Sequence, residues 1–112
     1  MKIVDRTHFL CFPSNTVFSK YEPCVFEGLM VKGESLLEIN DFIYEDIDSS
    51  AVDSDSSEDY AYKLFEAQST GISVGLDFDQ TARDGFFEDT QLFAVWEKDD
   101  VRKLIEKLQE CL

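Results

Sequence analysis

Hydrophobic positions along the chain switch between two periods, and each switch marks an element. Ile72, Val74, Leu76 and Phe78 alternate with Ser73, Gly75, Asp77 and Asp79, the period of a strand with one wet face. Val101, Leu104, Ile105 and Leu108 instead recur at helical spacing, which predicts a C-terminal amphipathic helix opening at Asp99 or Asp100. Tyr60, Ala61, Leu64, Phe65 and Gln68 line one face of another helix, from about Glu58 to Ser69. Ser56 or Ser57 can cap its first amides, Glu58 and Asp59 suit the positive end of its dipole, and Gly71 stops it.

The first third reads as sheet. His8 to Phe12 and Cys24 to Val31 are rich in Val, Phe and Leu and are bounded by Pro13 and Pro23, so they are expected as strands joined by a polar connection around Ser14 to Glu22. Lys32-Gly33-Glu34 has turn composition. Ser35 to Ile47 carries two readings. Leu36, Ile39, Ile43 and Ile47 fit a helix capped by Ser35, whereas the Ile and Phe content fits a strand; Asn40-Asp41 interrupts a long element and favours a short strand and a turn. Asp79 to Thr90 is a polar loop with a turn at Asp84-Gly85, and Gln91 to Trp96 is an apolar strand. The expected fold is α+β, a mostly antiparallel sheet with a central helix and the C-terminal helix packed on it, in a single domain spanning residues 1–112.

Charge changes this picture in one place. The formal net charge is −14, and Asp41 to Tyr60 holds eight acidic residues and no Lys or Arg, while Met1 to Met30 is balanced. Residues 48–59, DSSAVDSDSSED, form an acidic Ser/Asp-rich segment expected as a solvated loop. The chain as a whole is no disordered acidic tail, because 13% of its positions are aromatic, enough apolar surface to build a core. The start lacks a secretory-type apolar run and no segment is long enough to span a bilayer, so a cytoplasmic protein is expected. Cys11, Cys24 and Cys111 have no paired spacing and read as reduced thiols, the first two as core residues.

Three motifs invite chemistry and each fails on its context. Ile72 to Thr81, ISVGLDFDQT, resembles the first motif of the haloacid dehalogenase family, which would make Asp77 the nucleophile and Asp79 the acid. That family needs a doubly wound parallel sheet and later catalytic residues, and about thirty residues follow Thr81. Asp53-x-Asp55-x-Ser57 opens like a calcium loop, but Glu58 stands where Gly is needed and Leu64 where the bidentate Glu is needed. His8, the single histidine, has no local signature pairing it with Cys11 or Cys24. No catalytic residue, metal or cofactor is assigned. Direct nucleic-acid binding is excluded by charge, since ten Lys and Arg are scattered among twenty-four acids.

What the composition suits is the reverse, a surface that imitates a polyanion and enters a basic cleft. The residues expected at such a partner surface are Asp41, Glu45, Asp46, Asp48, Asp53, Asp55, Glu58 and Asp59 of the first acidic run. A second set comprises Asp77, Asp79, Asp84, Glu88 and Asp89 around Phe86 and Phe87, where adjacent rings on an extended chain point to opposite faces and one is expected outside. In size, charge and general pattern the chain resembles bacterial immunity proteins, including those of contact-dependent growth inhibition systems. The resemblance implies a non-enzymatic inhibitor whose partner is a basic toxin domain, often a nuclease, with the active site or substrate cleft occluded. It rests on no diagnostic motif. Two other readings share the composition: a phage-encoded polyanion mimic blocking a host defence nuclease, and a cytosolic domain whose acidic surface only keeps it soluble.

Overall fold

The computed structural model describes residues 1–86 and 88–112. Its elements are β1 (Lys2–Val4), α1 (Arg6–Phe9), β2 (Thr16–Glu22), β3 (Val25–Leu36), β4 (Asp41–Asp46), α2 (Ser57–Thr70), β5 (Thr81–Arg83), β6 (Leu92–Val95) and α3 (Lys98–Gln109), with a short 3-10 turn at Leu37–Ile39. The six strands form one sheet in the order β1-β6-β2-β3-β4-β5, and every pairing is antiparallel. The α+β class expected from the sequence is therefore the class observed. Among the described residues no helix is long and apolar enough to cross a membrane.

The core is aromatic and lies under α1. Phe9, Phe18, Phe42 and Phe93 are fully buried and mutually packed, with Leu10, Met30 and Val95 completing the cluster. Phe9 stacks on Phe93 at 4.1 Å between ring centroids with the planes 6° apart. α1 is a single turn that replaces the expected strand at His8 to Phe12. Asp5 caps it by accepting the His8 amide at 2.9 Å, and the helical spacing puts Arg6, Phe9 and Leu10 on one buried side. Cys11 and Cys24, expected in the core, are both exposed, one just past that turn and the other with φ 65° at the β2–β3 hairpin.

Two further expectations give way to the sheet. The supposed polar connection contains β2, whose Phe18 pairs with Met30 on one side and Val95 on the other. The supposed Lys32-Gly33-Glu34 turn is an irregularity within β3. The register with β4 shifts between Lys32 and Ser35, and a Cβ on Gly33 would lie 3.2 Å from the Ile43 carbonyl oxygen, so the strand accepts only glycine there without moving a backbone.

Lys32 is 1% exposed, and its Nζ donates to the Gly33 carbonyl at 3.0 Å and to Ser35 Oγ at 2.7 Å, neither of which is an anion. Burial pushes the ammonium below its ordinary 10.5, with a smaller opposing pull from Cys11. The unfolded chain then binds the proton more tightly than the native one, so this group destabilises the fold at neutral pH and stability rises as pH climbs towards 10.5. Lys32→Met should raise the thermal midpoint at pH 7, by a margin that shrinks at alkaline pH. A lower midpoint for the variant at pH 7 would contradict this account.

Candidate acidic and aromatic interface

The acidic run divides into residues that build the fold and residues that face out. Asp41 and Asp84, both expected at a partner surface, are 3% and 6% exposed at their side chains. Arg6 Nη2 lies 3.5 Å from Asp41 Oδ1 and 3.2 Å from Asp84 Oδ2, and Arg6 Nε donates to the Asn40 carbonyl at 2.9 Å. Lys20 Nζ comes within 2.6 Å of Asp84 Oδ1 without hydrogen-bond alignment, and Arg83 Nε sits 3.3 Å from Asp41 Oδ2. Phe86 is half-buried with its ring 4.5 Å from the Arg6 guanidinium, an intramolecular cation–π contact. Asp41, Asp84 and Phe86 thus tie α1, β2, β4 and the segment after β5 together. Phe87 lies outside the described residues.

Asp48 is also architectural. Its carboxylate accepts the Leu29 amide at 3.0 Å, the Ser50 amide at 2.9 Å and the Ser50 hydroxyl. Burial alone would push it up, but these hydrogen bonds prevail and hold it below the usual carboxylate range. Beside it, Asp46 is pushed up by burial and by the charge of Asp48. Asp46, Glu45 and Asp48 are all half-buried, so they contribute charge to the surface without projecting from it.

Beyond Asp48 the chain leaves the sheet and forms an arm. Ala51 and Val52 are buried at its base, and the Asp53 amide donates to the Gly75 carbonyl at 2.9 Å while the Asp77 amide donates to Ala51 at 2.8 Å. These bonds and the Val52–Leu76 bridge close a loop around α2. Ser56 caps α2 by accepting the Asp59 amide at 3.1 Å, Asp59 accepts the Asp55 amide at 3.0 Å, and Gly71 ends the helix with φ 75°. Lys63 Nζ reaches Asp59 at 3.2 Å and the Asp53 carbonyl at 2.7 Å, and Gln80 Nε2 donates to the Ser54 carbonyl at 3.1 Å. The Ser/Asp segment is therefore bonded at several points along its length. The helix begins at Ser57, which removes the positions a calcium loop would need. Among the described residues no group of three or more His, Cys, Asp or Glu could hold a metal ion.

The alternation at Ile72 to Phe78 yields a single bridge in place of a strand, and three of its four apolar side chains are exposed while Val74 is half-buried. Ile72, Leu76 and Phe78 are exposed by 56%, 50% and 45%. The apolar face of α2 behaves likewise: Phe65 is 71% exposed, Leu64 38%, and the helix buries no residue. Tyr62 joins them. The structure thus gathers Asp53, Asp55, Glu58 and Asp79, all exposed, and half-buried Asp59 and Asp77, with six exposed large apolar side chains on one arm. Residues 53–80 hold seven acids and one Lys. An open cleft between the arm and the sheet edge is lined by Asp46, Asp55, Tyr60, Gln80 and Ala82. Glu88 and Asp89 are exposed on a different loop, where Glu88 lines an open pocket together with Tyr21 and Glu22.

Sequence reasoning located the acids of this surface and missed its aromatics, because an apolar stripe on a helix is ordinarily the stripe that packs inward. No sequence signal separates the two cases, because a stripe that faces out has the same period as one that packs inward. No family model matches the chain, and no curated protein and no solved structure matches it.

Proposed function

We propose that this protein is a non-enzymatic inhibitor of the immunity-protein kind, which uses the acidic and aromatic arm to occlude the basic active site or substrate cleft of a toxin domain, a nuclease by preference. One observation carries the reading: residues 53–80 hold seven acids together with Tyr62, Phe65, Ile72 and Phe78, which are between 45% and 71% exposed. A surface that served solubility alone would have no use for exposed rings, since contiguous apolar area favours association. Rings set among carboxylates supply both halves of recognition. The charges steer the encounter with a cationic cleft, and the rings fill pockets and slow release.

The experiment is to produce this chain together with the protein encoded directly upstream of its gene. A toxin domain that cleaves nucleic acid alone and is silenced by one equivalent of this chain supports the proposal; full cleavage in its presence contradicts it. Asp53→Asn, Asp55→Asn and Asp79→Asn combined should slow association by roughly tenfold at low salt and flatten its salt dependence, with thermal stability unchanged. Phe65→Ala or Phe78→Ala should act on dissociation instead, weakening binding by about 1–3 kcal/mol. Surface plasmon resonance at two salt concentrations separates these effects, and unaltered rate constants for all the variants would move the interface off the arm.

A further inference from the structure

The Ser/Asp segment has the composition of a chain without fixed shape, since its carboxylates repel one another and it has little to bury. In the folded protein it is pinned, and most of the pins lead to one residue. Lys63 is the single cation between residues 53 and 80, against seven acids. It lies on α2 one turn above Asp59, and because helical side chains lean towards the N-terminus its ammonium reaches back to the segment that precedes the helix.

There Nζ donates to the Asp53 carbonyl at 2.7 Å and sits 3.2 Å from Asp59 Oδ2, the same oxygen that accepts the Asp55 amide at 3.0 Å. The Asp55 amide first, and Lys63 after it, hold the Asp59 carboxyl below its usual range. Asp53 is gripped from both sides, its amide donating to the Gly75 carbonyl and its carbonyl accepting from Lys63. Beyond this hub the segment is held by the Ser56 cap and by Gln80 on the Ser54 carbonyl.

The acceptor that Lys63 uses separates positioning from charge balance. A lysine kept only to offset acids would lie on carboxylates, whereas the Asp53 carbonyl carries no net charge, so this contact fixes backbone geometry. The stretch it fixes carries the exposed carboxylates of Asp53 and Asp55. We propose that Lys63 is the positioning residue of the arm: it pins the Asp53 carbonyl and the Asp59 carboxylate, and so holds the Asp53 to Asp59 segment, before any partner arrives, in the shape that binds. This role rests on the reading of the arm as the partner surface, and it deepens that reading because a segment ordered in advance loses less entropy on binding.

Lys63→Met tells the two roles apart. The variant arm is more negative, so charge alone predicts faster association with a cationic cleft and tighter binding. Positioning predicts weaker binding. In surface plasmon resonance against the protein encoded directly upstream, dissociation should be faster by about fivefold or more, outrunning a gain of about twofold in association at low salt. Adding Glu66→Gln returns the arm to its wild-type net charge without returning the pins, so dissociation should stay fast. The thermal midpoint should hardly move, because exposed ion pairs contribute little to stability. In the free chain, amide exchange followed by NMR should accelerate severalfold at Asp55, while the Asp53 and Asp77 amides, bonded to the backbone of Gly75 and Ala51, keep their wild-type rates. Unchanged exchange at Asp55, equal acceleration at all three amides, tighter binding by Lys63→Met, or slow dissociation restored by Glu66→Gln would each overturn the proposal. Failure of the wild-type chain to bind the upstream product would instead sink the toxin-binding reading, and the exchange rates would then decide by themselves whether Lys63 holds the segment.

Discussion

Truncating Phe9 to alanine should remove about 3–5 kcal/mol of stability, a large share of the roughly 5–15 kcal/mol available to a domain of this size. Phe9 is fully buried and its ring meets Phe93 at 4.1 Å, Phe18 at 4.6 Å and Phe42 at 5.0 Å. These three rings come from β6, β2 and β4, so the residue of one helical turn joins most of the sheet. The substitution leaves a cavity walled by rings whose strands are fixed by their own hydrogen bonds, and a site that cannot collapse retains the full cavity term. It also detaches α1, since a four-residue helix has almost no stability of its own. Urea unfolding followed by circular dichroism should show a much lower midpoint, with Phe9→Leu losing clearly less. Equal losses for the two variants would show that ring packing is not what holds α1 down.

Arg6→Met should be comparably severe, at about 3–5 kcal/mol, through a different cause. Removing the guanidinium leaves Asp41 and Asp84 buried with, among the described residues, only Arg83, 61% exposed, and Lys20, 32% exposed, to answer them. A buried carboxylate stripped of its main cation is expensive because neither water nor a low-dielectric interior can solvate it. Asp41 retains the amides of Phe42 at 2.8 Å and Gly85 at 3.1 Å, so Asp84, with one oxygen lacking an aligned donor among the described residues, is the more exposed to this loss. Adding Asp84→Asn to Arg6→Met should therefore recover part of the stability, giving a coupling energy of about 1–3 kcal/mol in a double-mutant cycle. Strict additivity would mean that Arg6 acts by packing against Phe42, Phe86 and Phe93 and not by charge. Moderate salt should hardly change the effect, in contrast to the exposed Arg102–Asp99 pair, because buried ion pairs are screened little.

Both variants act on α1, which the pattern of the chain did not announce. One helical turn is too short to show a period, and His8 to Phe12 has the composition of a strand, so only the packing of Phe9 into three other elements makes it helical. The elements with local signals were legible. Ser56 and Gly71 bracket α2 as capping chemistry requires, the C-terminal stripe starts a helix within a residue or two of the expected place, and Asn40 turns the chain into β4 with φ 54°. Those features depend on neighbours in sequence, where spacing is information.

Which acids face a partner was not of that kind. The composition placed eight carboxylates between Asp41 and Tyr60, but Asp41 is drawn inside by Arg6, and Asp84 by the same residue across 78 positions. A charge run records how much charge there is and leaves its pairing to the fold. Amphipathic periods have the same limit. The stripes on α2 and α3 were readable as surfaces that must be covered, yet a period carries no mark of whether the cover is the chain's own sheet or another molecule, and here the tertiary arrangement leaves Phe65, Phe78, Ile105 and Leu108 facing out.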